Sequence, residues 1–444
     1  VADRPPPSVP DDEPDGPAAH RAPVVTGHTR SKERTLSPDV ARGLMLLGIA
    51  LANGTTAWLA FGSDLLPTPP VSTTDTVVDV ILGIFGNSRG LPMFALLFGF
   101  GIGMLAVREW KRGTPWKSAR KLMFRRYWAL VLFGALHMVF LFFGDILLMY
   151  AIYGLVAAFM VPWRDKTLLW FAGLLFSIYV LFQLGSFALM AVSGEFAVDA
   201  AAGAPGAEGF AEGENILLSM FGAEALQGTY LAQILTGLVI LVSTPIAVIF
   251  GAPQLFSLVL VGIVVARRGI LTDAENHLKL LRIVAVVGLS AAVLTGVPAG
   301  LESAGVLNTE IWATLTQIAG NLAGPGIIAA IALALRGLQQ KQKATADAGV
   351  DAPTMPMPLE ALKALGQRSM SGYLMQSVLF IVLVSGWGFD VFDGASVAAI
   401  AGWSALIWLV TVFFAYGLEV AGKPGPAEKL HRRMTYGAAD SRAL

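Results

Sequence analysis

The run GALHMVFLFFGDILLMY, Gly134 to Tyr150, holds one histidine and one aspartate inside an otherwise apolar stretch. An ionisable group in hydrocarbon is expensive unless it pairs or faces a polar interior, so His137 and Asp145 are candidate functional residues. A neutral imidazole can take a proton from a hydroxyl or amine, which makes His137 a candidate base, with Asn53 and Tyr150 as polar groups at similar depth. Arg89 and Asp145 are candidates to orient an acceptor at the outer mouth. Asp39 and Arg42 stand three apart in SPDVARGLMLLGIALANG and can pair on one helix face. Arg42, Arg120, Lys121, Arg125, Arg126 and Arg368 form a basic cluster. Gln376 joins Asp39, Arg42 and Arg368 as a candidate substrate-binding residue. Plainer roles fit the same residues: interhelical hydrogen bonds for His137 and Asn53, a helix cap for Asp145, headgroup contact for Arg89 and anionic-lipid attraction for the basic cluster.

Composition decides what carries these side chains. Hydrophobic residues make up 55% of the chain and charged ones 14%, against roughly 25% charged in soluble domains. Many runs reach the ~20 apolar residues that cross a bilayer, and the alternating pattern of a β-barrel is missing. The expected class is an all-α, polytopic transmembrane helix bundle. The sequence has no cysteine and five histidines, and only His137 falls in a span, so no metal centre is expected. Expected partners are the lipid bilayer and a small-molecule or lipid acceptor, with no nucleic acid.

Spans are expected at 40–61, 90–107, 167–192, within 230–266, and at 279–299, 312–335, 370–388 and 397–418. The apolar run 127–162 would be ~54 Å long as one helix, too long for a single crossing, and Gly144-Asp145 divides it into two. That makes about ten net crossings. Cations cluster at 30–42, 108–126, 164–166, 267–268, 336–343, 363–368 and 423–433, all on one face, whereas 62–89, 193–229, 300–311 and 389–396 carry Arg89 alone. Both termini are therefore expected in the cytoplasm, with the chain in the plasma membrane of a bacterium. The chain divides into a disordered cytoplasmic tail (1–36), a five-span unit (37–192), an extracytoplasmic acidic loop (193–229), middle spans (230–335), a cytoplasmic loop (336–367), a two-span unit (368–422) and a basic tail (423–444).

Helix rise puts His137 about 10 Å below the outer surface, with Tyr150 about 8 Å deep facing it across the hairpin and Asp145 at the outer lip. Thr244-Pro245 and Ala252-Pro253 imply either one long broken helix or an interfacial helix plus one span. NLAGPGII at 321–328 implies an interruption of the eighth span. Such breaks mark transporter substrate sites or simple kinks. The glycines of FGFGIG, at 99, 101 and 103, read as packing surface and not as a phosphate cradle, because no strand precedes them.

Four blocks resemble the YeiB-like membrane proteins of domain-of-unknown-function family 418. They are SPDVARGLMLLGIALANG, GLPMFALLFGFGIGMLAVRE, RRYWALVLFGALHMVFLFFGDILLMYAIYGL, and GQRSMSGYLMQSVLF with GPAEKLHRRMTYG. The family usually has leucine where Pro38 stands and often threonine where Ser371 stands. Separately, Asp39-x-x-Arg42-Gly43 with Asn53 resembles the first span of heparan-α-glucosaminide N-acetyltransferase and the opening of acyltransferase family 3. That resemblance implies transfer of an acyl group from cytoplasmic acyl-CoA to a hydroxyl or amine acceptor presented on the far side, with His137 as base, Asn53 or Tyr150 holding the oxyanion, and Arg42, Arg120, Lys121, Arg125, Arg126 and Arg368 attracting the phosphates of coenzyme A. The alternatives are a carrier or flippase for an amphipathic or acidic small molecule, with His137 as proton-coupling group, and a non-catalytic scaffold.

Overall fold

The computed structural model describes residues 36–56, 58, 72–86, 88–193, 229–309, 311–348, 354–385 and 388–437. Nearly all of the expected tail, most of the acidic loop (194–228) and residues 438–444 lie outside the described residues. Every regular element among the described residues is helical. Helix α1 (Leu36–Gly54) is followed by α2 (Thr73–Ile81), which runs through a π-helical turn (Leu82–Gly86) to α3 (Gly90–Lys111). Helices α4 (Trp116–Phe140) and α5 (Leu147–Met160) form a hairpin, and α6 (Asp165–Ser193) follows. Helix α7 (Tyr230–Gly251) continues through a second π-helical turn (Ala252–Phe256) into α8 (Ser257–Arg267). The remainder is α9 (Leu278–Ser303), α10 (Ile311–Asp347), α11 (Met357–Gln367), α12 (Ser369–Val384), α13 (Val397–Val420) and α14 (Pro426–Tyr436).

Among the described residues, seven helical segments are long and apolar enough to cross a membrane: Thr73–Lys111, Trp116–Phe140, Asp165–Leu189, Tyr230–Arg267, Glu275–Ser303, Ile311–Thr345 and Val397–Val420. Helices α5 and α12 are apolar but shorter. The chain is a multi-helix membrane protein.

Close packing explains several local choices. Gly99 and Gly103 lie one turn apart on α3 and seat against backbone and Ala266 of α8. A Cβ at Gly103 would stand 2.6 Å from the Ala266 methyl, and one at Gly262 would stand 2.7 Å from the Phe100 nitrogen. The FGFGIG glycines are thus a helix-packing seam, as their spacing implies. Gly101 faces the Arg42 guanidinium instead, with Nη2 3.6 Å from where a Cβ would stand.

Four expectations about continuity change or resolve. Segment 62–89 is not simply an exterior connection, because it contains α2 and the first π-helical turn. There Asp75 closes a capping box with Ser72 and also accepts the Ala398 N–H of α13 at 2.9 Å, so one carboxylate fastens two helix starts. Helix α10 runs unbroken through Pro325. The lost N–H is tolerated in a packed helix, and Gly326 lets the backbone of α9 approach until a Cβ would stand 2.6 Å from the Gly288 Cα. Residues 230–267 form one long broken helix, with Pro245 inside α7 and Pro253 in the π-helical turn. Much of 336–367 is helical, since α10 extends to Asp347 and α11 packs on α1 and α13.

Candidate functional site

Helix α4 ends where the His137 carbonyl accepts both the Leu141 and Phe142 N–H groups, each at 2.8 Å. The chain then doubles back through Gly144 and starts α5 at Leu147. This reversal brings Asp145 onto the imidazole: His137 Nδ1 lies 2.7 Å from Asp145 Oδ1. The second carboxylate oxygen, Oδ2, accepts the Leu148 N–H at 2.7 Å and so caps α5. On the other side of the ring, His137 Nε2 lies 2.8 Å from Ser377 Oγ of α12. With hydrogen on Nδ1, the ring donates to Asp145 and Nε2 accepts from the Ser377 hydroxyl, for which the Tyr373 carbonyl at 3.4 Å is the more distant alternative acceptor. A nucleophile, a base and an orienting carboxylate stand in one chain of hydrogen bonds, the arrangement that activates serine for acyl chemistry.

All three groups are buried, with the His137 and Asp145 side chains wholly removed from solvent. Tyr373, one turn before Ser377, lies with its ring centroid 4.9 Å from that of His137. Its hydroxyl is buried close to Asp145 and the Ile146 backbone and has no well-formed hydrogen bond among the described residues. Phe142 approaches His137 edge-on at 6.3 Å and stacks on Trp58 at 4.8 Å, and Trp58 stacks in turn on Phe380 at 5.3 Å. A stack of three aromatic rings thus abuts His137 through Phe142.

Helix α5 has 14 residues, about 21 Å, shorter than the ~30 Å hydrocarbon core. Ser377 stands mid-way along the 16 residues of α12. The Asp145 side chain, at the turn between α4 and α5, is buried among these helices.

Other expected residues stand elsewhere. Tyr150 does not face His137; its hydroxyl donates to the Leu91 carbonyl at 2.9 Å and its ring packs on Phe94 and Phe98 of α3. Asn53 is half-buried in the last turn of α1, and no hydrogen bond joins its side chain to His137 among the described residues. Arg89 is not at a mouth. It is fully buried, and its guanidinium donates to the carbonyls of Ile84 (3.2 Å), Thr316 (2.8 Å) and Gly83 (3.1 Å). Two of those acceptors belong to the first π-helical turn, where a cation meets the negative end of a helix.

Asp39 and Arg42 pair at 3.2 Å, as their spacing implies, and Gln367 and the Leu97 carbonyl complete the cluster. Arg368 bridges Glu419 at 2.8 Å and the Lys423 carbonyl at 2.7 Å. Gln376 is buried and directed at the Leu46 carbonyl, 3.4 Å away. The structure thus joins His137 and Asp145, leaves the remaining expected residues apart from them, and adds Ser377 and Tyr373. Both newcomers lie within the quoted block GQRSMSGYLMQSVLF, where a serine in an apolar helix sharing a face with Tyr373 and Phe380 was the available signal.

Residues 265–438 match a family model described as "Protein of unknown function (DUF418)". The uncharacterized protein YxaH of Bacillus subtilis (strain 168) is 24% identical over 427 residues, covering 92% of this chain and 96% of its own. The uncharacterized protein YeiB of Escherichia coli (strain K12) is 34% identical over 126 residues, 28% of this chain and 30% of its own. The chain thus carries a DUF418 region and is similar to the YxaH and YeiB proteins. No solved structure matches it significantly. The stretch that matches the family model carries Ser377, whereas His137 and Asp145 come from the preceding part of the chain.

Proposed function

We propose that this protein is an integral membrane acyltransferase that moves an acyl group from cytoplasmic acyl-CoA to a hydroxyl or amine acceptor. The Ser377–His137–Asp145 chain of hydrogen bonds is the observation that carries this reading. Ser377 Oγ attacks the thioester carbonyl while its proton passes to His137 Nε2. The tetrahedral intermediate collapses, the C–S bond breaks, and the imidazolium returns the proton to the leaving thiolate, giving acyl-Ser377 and free coenzyme A. The acceptor then loses its proton to His137, attacks the acyl carbon and expels Ser377 Oγ, which regains a proton. Asp145 holds the tautomer through both halves.

Distribution of charge supports a matching topology: about ten crossings with both termini on the cytoplasmic side of the bacterial plasma membrane. A nucleophile mid-way along a membrane helix suits a donor arriving from one face and an acceptor from the other. Exposed Lys117, Lys121 and Arg125 at the start of α4 suit the donor's phosphates.

The test is thiol release from acyl-CoA by the purified protein in proteoliposomes. Ser377→Ala and His137→Ala are each expected to lower it at least about 10³-fold. Release that survives both substitutions refutes the mechanism. Movement of a solute without thioester loss points to the carrier instead.

A further inference from the structure

The C-terminal block GPAEKLHRRMTYG forms α14 and takes no part in the proton transfers above. Its contacts nevertheless reach both helices that bring Ser377 and His137 together. Glu428 accepts the N–H groups of Met370 (2.9 Å) and Ser371 (3.0 Å) and the Ser371 hydroxyl, while Ser371 Oγ accepts the Ala427 N–H at 3.0 Å. A carboxylate thereby caps the first turn of α12, where the helix macrodipole favours negative charge. One turn further along α14, His431 Nε2 donates to the Arg126 carbonyl of α4 at 2.9 Å, and its ring lies 6.1 Å from Phe133. Arg108 donates to the Tyr436 hydroxyl at 3.4 Å and ties the far end of α14 to α3.

Helices are stiff over these lengths. Ser377 lies about 9 Å along α12 from Ser371, and His137 lies about 16 Å along α4 from Arg126. The two hydrogen bonds of His137 differ in what holds them. The Asp145 arm closes within one hairpin, between residues eight apart, whereas the Ser377 arm joins residues 240 apart. Only tertiary contacts fix the second arm. We infer that α14 is a clamp and that Glu428 is a positioning residue which, by pinning the start of α12 against α4, holds Ser377 Oγ within reach of His137 Nε2.

The rate consequence rests on the acyl-transfer reading; the hydrogen-bond consequence does not. The experiment uses the full chain in nanodiscs with 15N-labelled histidine, as wild type, Glu428→Ala, Glu428→Gln and Ser377→Ala. Glu428→Ala is expected to move the His137 Nε2 resonance to its Ser377→Ala position while the Nδ1 resonance stays. Glu428→Gln keeps an acceptor oxygen and is expected to restore part of the wild-type signal. With acyl-CoA present, Glu428→Ala should lower kcat about a hundredfold, the order expected for an ångström of misplacement, at unchanged KM. Should Glu428→Ala fail to fold, His431→Ala releases the α4 end and must give the same split between the two nitrogens. A wild-type Nε2 resonance in the folded variant, or simultaneous loss of both arms, overturns the clamp. If the wild type consumes no acyl-CoA yet the nitrogens split as expected, the acyl-transfer reading falls and the clamp stands.

Discussion

Replacing Asp145 by asparagine changes almost no volume but forces a choice on the side chain. Of the two carboxylate oxygens, Oδ2 accepts the Leu148 N–H at 2.7 Å and Oδ1 faces His137 Nδ1 at 2.7 Å. Asparagine has one acceptor and one NH2 group. If the NH2 faced Leu148, two buried donors would meet, so the oxygen stays on Leu148 and the NH2 turns to the imidazole. His137 must then accept at Nδ1 and carry its hydrogen on Nε2, aimed at Ser377. That tautomer cannot take the serine proton. The helix cap is retained, so the protein should fold with a thermal midpoint near that of the wild type. Acyl transfer should fall by about 10⁴ in kcat, the scale seen when a triad is left in the wrong tautomer. Thiol release measures the rate, and 15N spectra of His137 report which nitrogen bears the hydrogen. Activity within tenfold of the wild type, or an unchanged tautomer, refutes this reasoning.

Further outcomes follow from the surroundings. Arg89→Leu removes three hydrogen bonds from a buried guanidinium, roughly 1.5–3 kcal/mol each, so it should lower the midpoint of thermal unfolding in detergent steeply. Trp58→Ala removes the middle ring of the Phe142–Trp58–Phe380 stack and should cost about 3–5 kcal/mol, read from denaturant unfolding. Burial, reinforced by the Arg126 charge and opposed by the hydrogen bond to its carbonyl, holds His431 down at about 4 from its ordinary 6.5. Protons then bind the unfolded chain more readily, so stability contributed by a neutral His431 is full above about pH 6.5 and declines as pH falls toward 4. His431→Gln should flatten the unfolding midpoint across that window, and an unchanged slope contradicts it.

Periodicity and charge made the helical membrane class, the α4–α5 reversal at Gly144-Asp145 and the α3 glycine seam legible, because each is a local property of the chain. The Asp39–Arg42 pair was legible for the same reason, two residues three apart on one helix face. Ser377 was not, since nothing in helical spacing tells which span adjoins His137, and its partner lies 240 residues away. The capping role of Asp145 was legible at the reversal, whereas its contact with the imidazole depends on how the turn folds back. Arg89 misled for the opposite reason. A cation at the start of a span suggests a ligand, whereas carbonyls of a π-helical turn absorb it. Pro325 suggested a break that close glycine packing makes unnecessary.

The central claim is most directly tested by peptide mass mapping after brief incubation of the protein with acyl-CoA in the absence of acceptor. An acyl mass on Ser377, missing in His137→Ala, is the predicted result. No adduct on Ser377 under conditions where thiol is released, or an equal adduct without the histidine, contradicts the account.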